Sequence, residues 1–168
     1  SVTLYAGAKP VPLPILEEND FRFTTADLRE RVTGRTRLLI LNYPHNPTGG
    51  TLARAELEEI AEIAVENDLI VLSDEVYAHM LFEGEHVSLA TLPGMRERTI
   101  MLETFSKTYA MTGWRLGYVI CPADLAAIAA ALQEPVASCA PSVSQKAYEA
   151  ALAGPQDCVA QFREIYRR

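Results

Sequence analysis

The sequence predicts an α/β fold, a mostly parallel sheet flanked by helices. Three observations carry that reading. Two short apolar runs, Arg37-Leu38-Leu39-Ile40-Leu41-Asn42 and Leu69-Ile70-Val71-Leu72-Ser73-Asp74, end in polar residues, as buried parallel strands do. Between them Leu57, Ile60, Ala61 and Ala64 fall at i, i+3, i+4 and i+7, opposite Glu56, Glu59, Glu62 and Glu66, which is an amphipathic helix near 53–66. The length of 168 residues, 49% hydrophobic and 22% charged, belongs to a globular domain and excludes disordered and low-complexity classes.

Taken in order, Val2-Thr3-Leu4-Tyr5 and residues 11–16 read as extended pieces, and Pro12 and Pro14 disfavour a helix or a central strand in the second. Thr24 to Asp27 has capping-box spacing, and Leu28 and Val32 follow four apart, so a short helix is expected near 25–33. Strand, helix and strand over residues 37–74 form a βαβ unit, whose crossover is expected to be right-handed. Further strands are expected at Thr99–Leu102 and Leu116–Ile120, then helices at 123–132, 141–153 and 155–167. No repeat or linker divides the chain.

Charge and cysteine content narrow the function classes. Fifteen Lys and Arg against twenty-two Asp and Glu give a net charge of −7, which argues against nucleic acid or an anionic membrane as the main partner. Cys121, Cys139 and Cys158 are too few and too scattered for a disulfide framework or a zinc cluster, and His45, His79 and His86 have no recurring ligand spacing, so no metal is expected. No apolar run approaches the roughly 18 to 20 residues of a membrane span, and no basic-then-apolar leader pattern opens the sequence. A cytoplasmic protein is expected.

Open α/β sheets bind ligands beyond the carboxyl ends of their strands. Three such ends carry unusual residues: Asn42 to Gly50, Asp74 to Tyr77, and Thr104 to Arg115. Together they offer an amide (Asn46), a carboxylate (Asp74), a phenol (Tyr77), an amine (Lys107), hydroxyls (Thr104, Ser106) and a guanidinium (Arg115). An amine in such a loop suits a Schiff-base nucleophile once its free base is available. A hydroxyl beside an arginine suits a phosphate, because the guanidinium presents a planar fork to its oxygens. Singly, each residue has an ordinary reading: a surface lysine, a solvated arginine, or Asp-Glu as a helix cap. Gly49 and Gly50 serve turn geometry, since no phosphate-loop pattern surrounds them, and Glu75 and Trp114 read as local structural residues.

The combination resembles a known family. His45-Asn46-Pro47-Thr48-Gly49, Asp74-Glu75-Val76-Tyr77, and Ser106-Lys107 followed by Met111-Thr112-Gly113-Trp114-Arg115 match the class I/II aminotransferases in order and spacing. Among these fold-type I enzymes, which use pyridoxal 5′-phosphate (PLP), the lysine loop is most similar to that of the aspartate and aromatic or broad-range branch. The resemblance implies a three-layer fold, the central part of an aspartate aminotransferase-like large domain. It also implies transfer of an amino group from an amino acid to a 2-oxo acid, and a homodimer.

By motif, Lys107 would form the internal aldimine and shuttle the substrate proton, and Asp74 would pair with the pyridine nitrogen. Tyr77 and Asn46 would hydrogen-bond the phenolic oxygen, and Asn46-Pro47 falls at a family position that is commonly cis. Arg115, Thr104 and Ser106 would bind the phosphate; many relatives carry Ser where Thr104 stands. Residues 1–168 have no counterpart of the family's small-residue phosphate loop, ring-stacking aromatic or carboxylate-gripping arginine, so they are expected to be a central fragment lacking the N-terminal segment and the C-terminal small domain. On sequence alone two other readings stay open, a C–S lyase or related fold-type I enzyme and the PLP-sensing domain of a transcription regulator. The intact Asn-Pro-Thr-Gly and Thr-Gly-Trp-Arg blocks favour the aminotransferase.

Overall fold

The strands carry apolar residues on both faces, of which one is buried and the other largely open. In the computed structural model, which describes residues 2–168, four strands lie side by side: β1 (Leu38–Asn42), β2 (Ile70–Asp74), β3 (Thr99–Thr104) and β4 (Gly117–Ile120). The helices are α1 (Val2–Tyr5), α2 (Thr25–Arg31), α3 (Arg54–Glu66), α4 (Phe105–Thr108), α5 (Ala123–Ala137), α6 (Ser142–Ala153) and α7 (Asp157–Tyr166). The first three strands run parallel and β4 is antiparallel to β3. Asn42 pairs with Asp74, Asp74 with Leu102, and Thr104 with Gly117, so three strand ends and the start of β4 share one edge.

Leu41, Val71, Ser73, Thr99 and Glu103 lie on the buried face, while Leu38 and Ile40 on the other are 46% and 53% exposed. The helix α3 covers the buried face with Leu57, Ile60, Ala61, Ile63 and Ala64. Ile60 and Ile63 are fully buried, each contributing about 1.5–3 kcal/mol by removing its side chain from water. The helices α2 and α3 are each capped at the N-terminus. Thr24 Oγ1 accepts from the Asp27 N–H while the Asp27 carboxylate accepts from the Thr24 N–H, and the Glu56 carboxylate accepts from the Ala53 N–H at 2.7 Å.

The strand, helix and βαβ expectations over 25–74 agree with the structure to within two residues at each end. Three details differ. Val2–Tyr5 is a single helical turn closed by Ala6 N–H to Val2 C=O, not an extended piece. Without a neighbouring strand, its backbone groups are satisfied locally. The strand β3 runs two residues further than expected, to Thr104, because β4 pairs with it up to Gly117. There a Cβ would meet the Glu103 carbonyl oxygen at 2.7 Å, so only glycine lets the strands approach this closely. The helix α5 continues past 132 to Ala137 with Pro135 in its last turn, where the lost N–H bond falls on a solvent-exposed segment.

Candidate active site

The parallel strands deliver their last side chains to one edge, and parity sends Asp74 and its neighbour Glu75 to opposite faces. Asp74 ends β2 on the open face. Its Oδ1 accepts from the Val76 N–H at 3.3 Å, and it forms no ion pair among the described residues. Burial pushes the carboxyl above its ordinary value, against the Val76 amide and Asn42, which act to lower it. A cation placed beside such a half-buried carboxylate would favour its charged form.

Tyr77 lies in the tight turn of residues 75–78 and precedes the 3₁₀ turn Ala78–Met80. Lys107 sits in the short helix α4, half-buried, with its Nζ 5.6 Å from the Tyr77 ring centroid, within cation–π reach. Two residues 30 positions apart, both singled out by sequence, therefore meet. Thr104 caps α4, its Oγ1 accepting from the Ser106 N–H at 3.2 Å. The Thr104 O–H proton remains free to donate.

Arg115 stands at the mouth of β4 in a left-handed conformation, φ 56°, a strained geometry for a residue with a Cβ. Its guanidinium is exposed, donates to the Thr112 carbonyl at 2.9 Å and has no carboxylate partner among the described residues. Asn46 lies in the loop after β1, where its N–H donates to the Asn42 side chain at 3.0 Å; its own side chain is exposed. That loop is closed by His45 and Gly50, Gly49 takes φ 76°, and both Tyr43–Pro44 and Asn46–Pro47 are cis. Gly49 thus serves turn geometry, as read from the sequence, whereas at Gly50 a Cβ would meet the Phe21 carbonyl oxygen at 2.8 Å.

Other supporting residues carried no sequence signal. Tyr148 of α6, 3% exposed, stacks on Phe105 at 3.8 Å between ring centroids. Its hydroxyl donates to the Leu116 carbonyl and accepts from the Leu116 N–H, both at 3.1 Å. One side chain therefore ties the lysine helix to the residue after Arg115. Trp114 is 42% exposed, and its carbonyl accepts from Ser144 Oγ at 2.9 Å. A cavity of about 240 Å³ is lined in part by Arg22, Tyr43, Ser73, Glu75 and His86, and its lining includes none of Asp74, Tyr77 and Lys107.

The family model for aminotransferase class I and II matches residues 2–168. The chain belongs to the class I and II aminotransferase family. An aspartate aminotransferase of Pyrococcus abyssi is 55% identical over 120 residues, 71% of this chain and 31% of that protein. An arginine–pyruvate transaminase of Pseudomonas aeruginosa is 46% identical over 162 residues, 96% of this chain and 41% of the relative. Among solved structures, an aromatic aminotransferase from Pyrococcus horikoshii superposes with a TM-score of 0.95 at 45% identity, over 99% of this chain and 45% of that one. The fold is thus that of the aspartate aminotransferase-like transferases, and the chain spans less than half the length of these aminotransferases. No helix among the described residues is long and apolar enough to cross a membrane.

Proposed function

We propose that this chain is the central part of the cofactor-binding domain of a PLP-dependent aminotransferase that moves an amino group from an amino acid to a 2-oxo acid. The observation that carries the reading is Lys107 Nζ set over the Tyr77 ring, which follows by three residues a half-buried Asp74 with no cation partner among the described residues. The residues fit PLP in kind: among the described residues Asp74 lacks the cation that a protonated ring nitrogen would supply and Arg115 has no carboxylate partner, and Arg115 with the Thr104 and Ser106 hydroxyls suits a phosphate. When bound, PLP supplies a carbonyl that links to amines and a ring that withdraws electrons from the bonds at the substrate α carbon.

Each residue then has a role. Asp74, ionised, holds a proton on the ring nitrogen. Arg115, Thr104 and Ser106 bind the phosphate, and Tyr77 with Asn46 hydrogen-bonds the phenolic oxygen. Lys107 Nζ takes and returns the proton at the substrate α carbon, a role worth roughly 10²–10⁴ in rate. In the complete protein the neighbouring segments would supply the remaining phosphate contacts and the arginine for the substrate carboxylate. The exposed apolar residues of α5, among them Leu132 at 62% and Val136 at 82%, support burial against such segments or against a second subunit of a homodimer. The setting proposed is cytoplasmic.

Borohydride reduction of the cofactor-loaded protein, followed by peptide mass spectrometry, tests the assignment. The added mass is expected on Lys107. A label on Lys9 or Lys146, the chain's other lysines, or none on Lys107, overturns it.

A further inference from the structure

We infer that Glu75 and His86 are positioning residues that orient Asp74 and Tyr77 from the far face of the sheet, an assignment that rests on the cofactor reading above. Glu75 lies between Asp74 and Tyr77 in sequence and is 3% exposed. Its main chain is held at both ends of the turn. The N–H donates to the Leu102 carbonyl of β3 at 3.0 Å, and the C=O accepts from the Ala78 N–H at 2.8 Å, closing the turn that presents Tyr77.

The side chain is held as tightly. Its Oε1 accepts from Ser73 Oγ and Ser88 Oγ, each at 2.9 Å, and its Oε2 from His86 Nε2 at 2.6 Å. A carboxylate only accepts, so the imidazole donates. His86 and Ser88 belong to the segment that leads from the 3₁₀ turn Ala78–Met80 to the next at Leu89–Thr91. One buried carboxylate therefore joins the catalytic turn to a segment 11 to 13 residues further on.

Stability alone does not require this arrangement. A well-packed apolar side chain usually stabilises a core as well as a buried charge does, because desolvating the charge offsets its interactions. A fully satisfied polar network instead selects one orientation. A site whose carboxylate and phenol must stay within about 0.5 Å of their working positions needs that selection. Tyr77 is the side chain that meets Lys107, so the network reaches the amine through one residue. The other carboxylate near Glu75 on this face, Glu103, has its own partner in the Thr104 N–H at 3.1 Å and leaves Glu75 to the serines and the histidine.

The complete, cofactor-loaded enzyme tests this with three variants. His86→Leu removes the donor at similar bulk, His86→Gln restores an N–H, and Ser88→Ala removes one hydroxyl while keeping the histidine. His86→Leu is expected to lower kcat about tenfold, equivalent to about 1.4 kcal/mol in the barrier. The KM for the amino acid should stay nearly unchanged, and the absorbance of the bound cofactor at fixed pH should shift. His86→Gln should recover both properties. Ser88→Ala should move the absorbance in the same direction by less, and it carries the test alone if His86→Leu does not fold. Variants that melt lower but keep the wild-type absorbance and kcat would overturn the assignment and leave the network a structural staple. A wild-type enzyme without cofactor absorbance would instead remove the functional reading and this assignment with it.

Discussion

Replacing Glu103 with glutamine is expected to flatten the pH dependence of stability between pH 4 and pH 8. Glu103 is 6% exposed on β3, and its Oε2 accepts from the Thr104 N–H at 3.1 Å. Burial pushes its carboxyl up from 4.5 to about 7; the Thr104 N–H and His86 oppose this, and the charges of Glu75 and Asp74 add to it. The folded protein therefore holds this proton more tightly than the unfolded chain. The stability it contributes is fully present below pH 4.5 and is lost as pH rises through 7.

The displacement from 4.5 to about 7, at about 1.36 kcal/mol per pH unit, amounts to about 3 kcal/mol. Glutamine keeps an acceptor for the Thr104 N–H and does not ionise. Urea unfolding of both proteins at pH 4 and pH 8 measures the difference of differences, in which the other titrating groups cancel. Wild type should lose about 3 kcal/mol more than Glu103→Gln across that interval. Equal losses would refute the placement of an ionisable carboxyl in this buried position.

Tyr148→Phe should cost about 1–3 kcal/mol, because the N–H and C=O of Leu116 lose their shared partner while the stack on Phe105 survives. A thermal melt should fall by about 2–4 °C per kcal/mol for a domain of this size, and an unchanged melt would mean that water replaces the hydroxyl. Arg115→Lys should weaken PLP binding about tenfold by replacing a fork with a point charge, as read by fluorescence titration; unchanged affinity would place the phosphate elsewhere.

What the sequence disclosed depended on the range of the interactions involved. The strands ending at Asn42 and Asp74 and the helix between them were legible because their patterns are local and repeat with a fixed period. Asp74, Tyr77, Lys107 and Arg115 stood out together, through three loop motifs whose order and spacing resemble the class I/II aminotransferases. The direction of β4 was not legible, since a four-residue strand carries no sign of its orientation. Nor was the Glu75 network, in which serines and a histidine meet across 11 to 13 residues with no periodicity. Tyr148 looked like any aromatic on a helix until its hydroxyl reached Leu116, 32 residues away. The turn at Val2–Tyr5 misled because β-branched and aromatic residues favour strands only where a neighbouring strand exists to pair with.

The two faces of the sheet divide the ways in which this chain tolerates change. Side chains on the α3 face, such as Val71 and Leu41, are coupled to one another through shared packing, so substitutions there alter how much protein is folded. Asp74, on the open face, lies outside that cluster, so a substitution there alters what each folded molecule can do. A lineage can therefore retune the working edge without renegotiating the core. Glu75 and Glu103 are the exceptions, because each sits on the folding face while its main chain borders the working one.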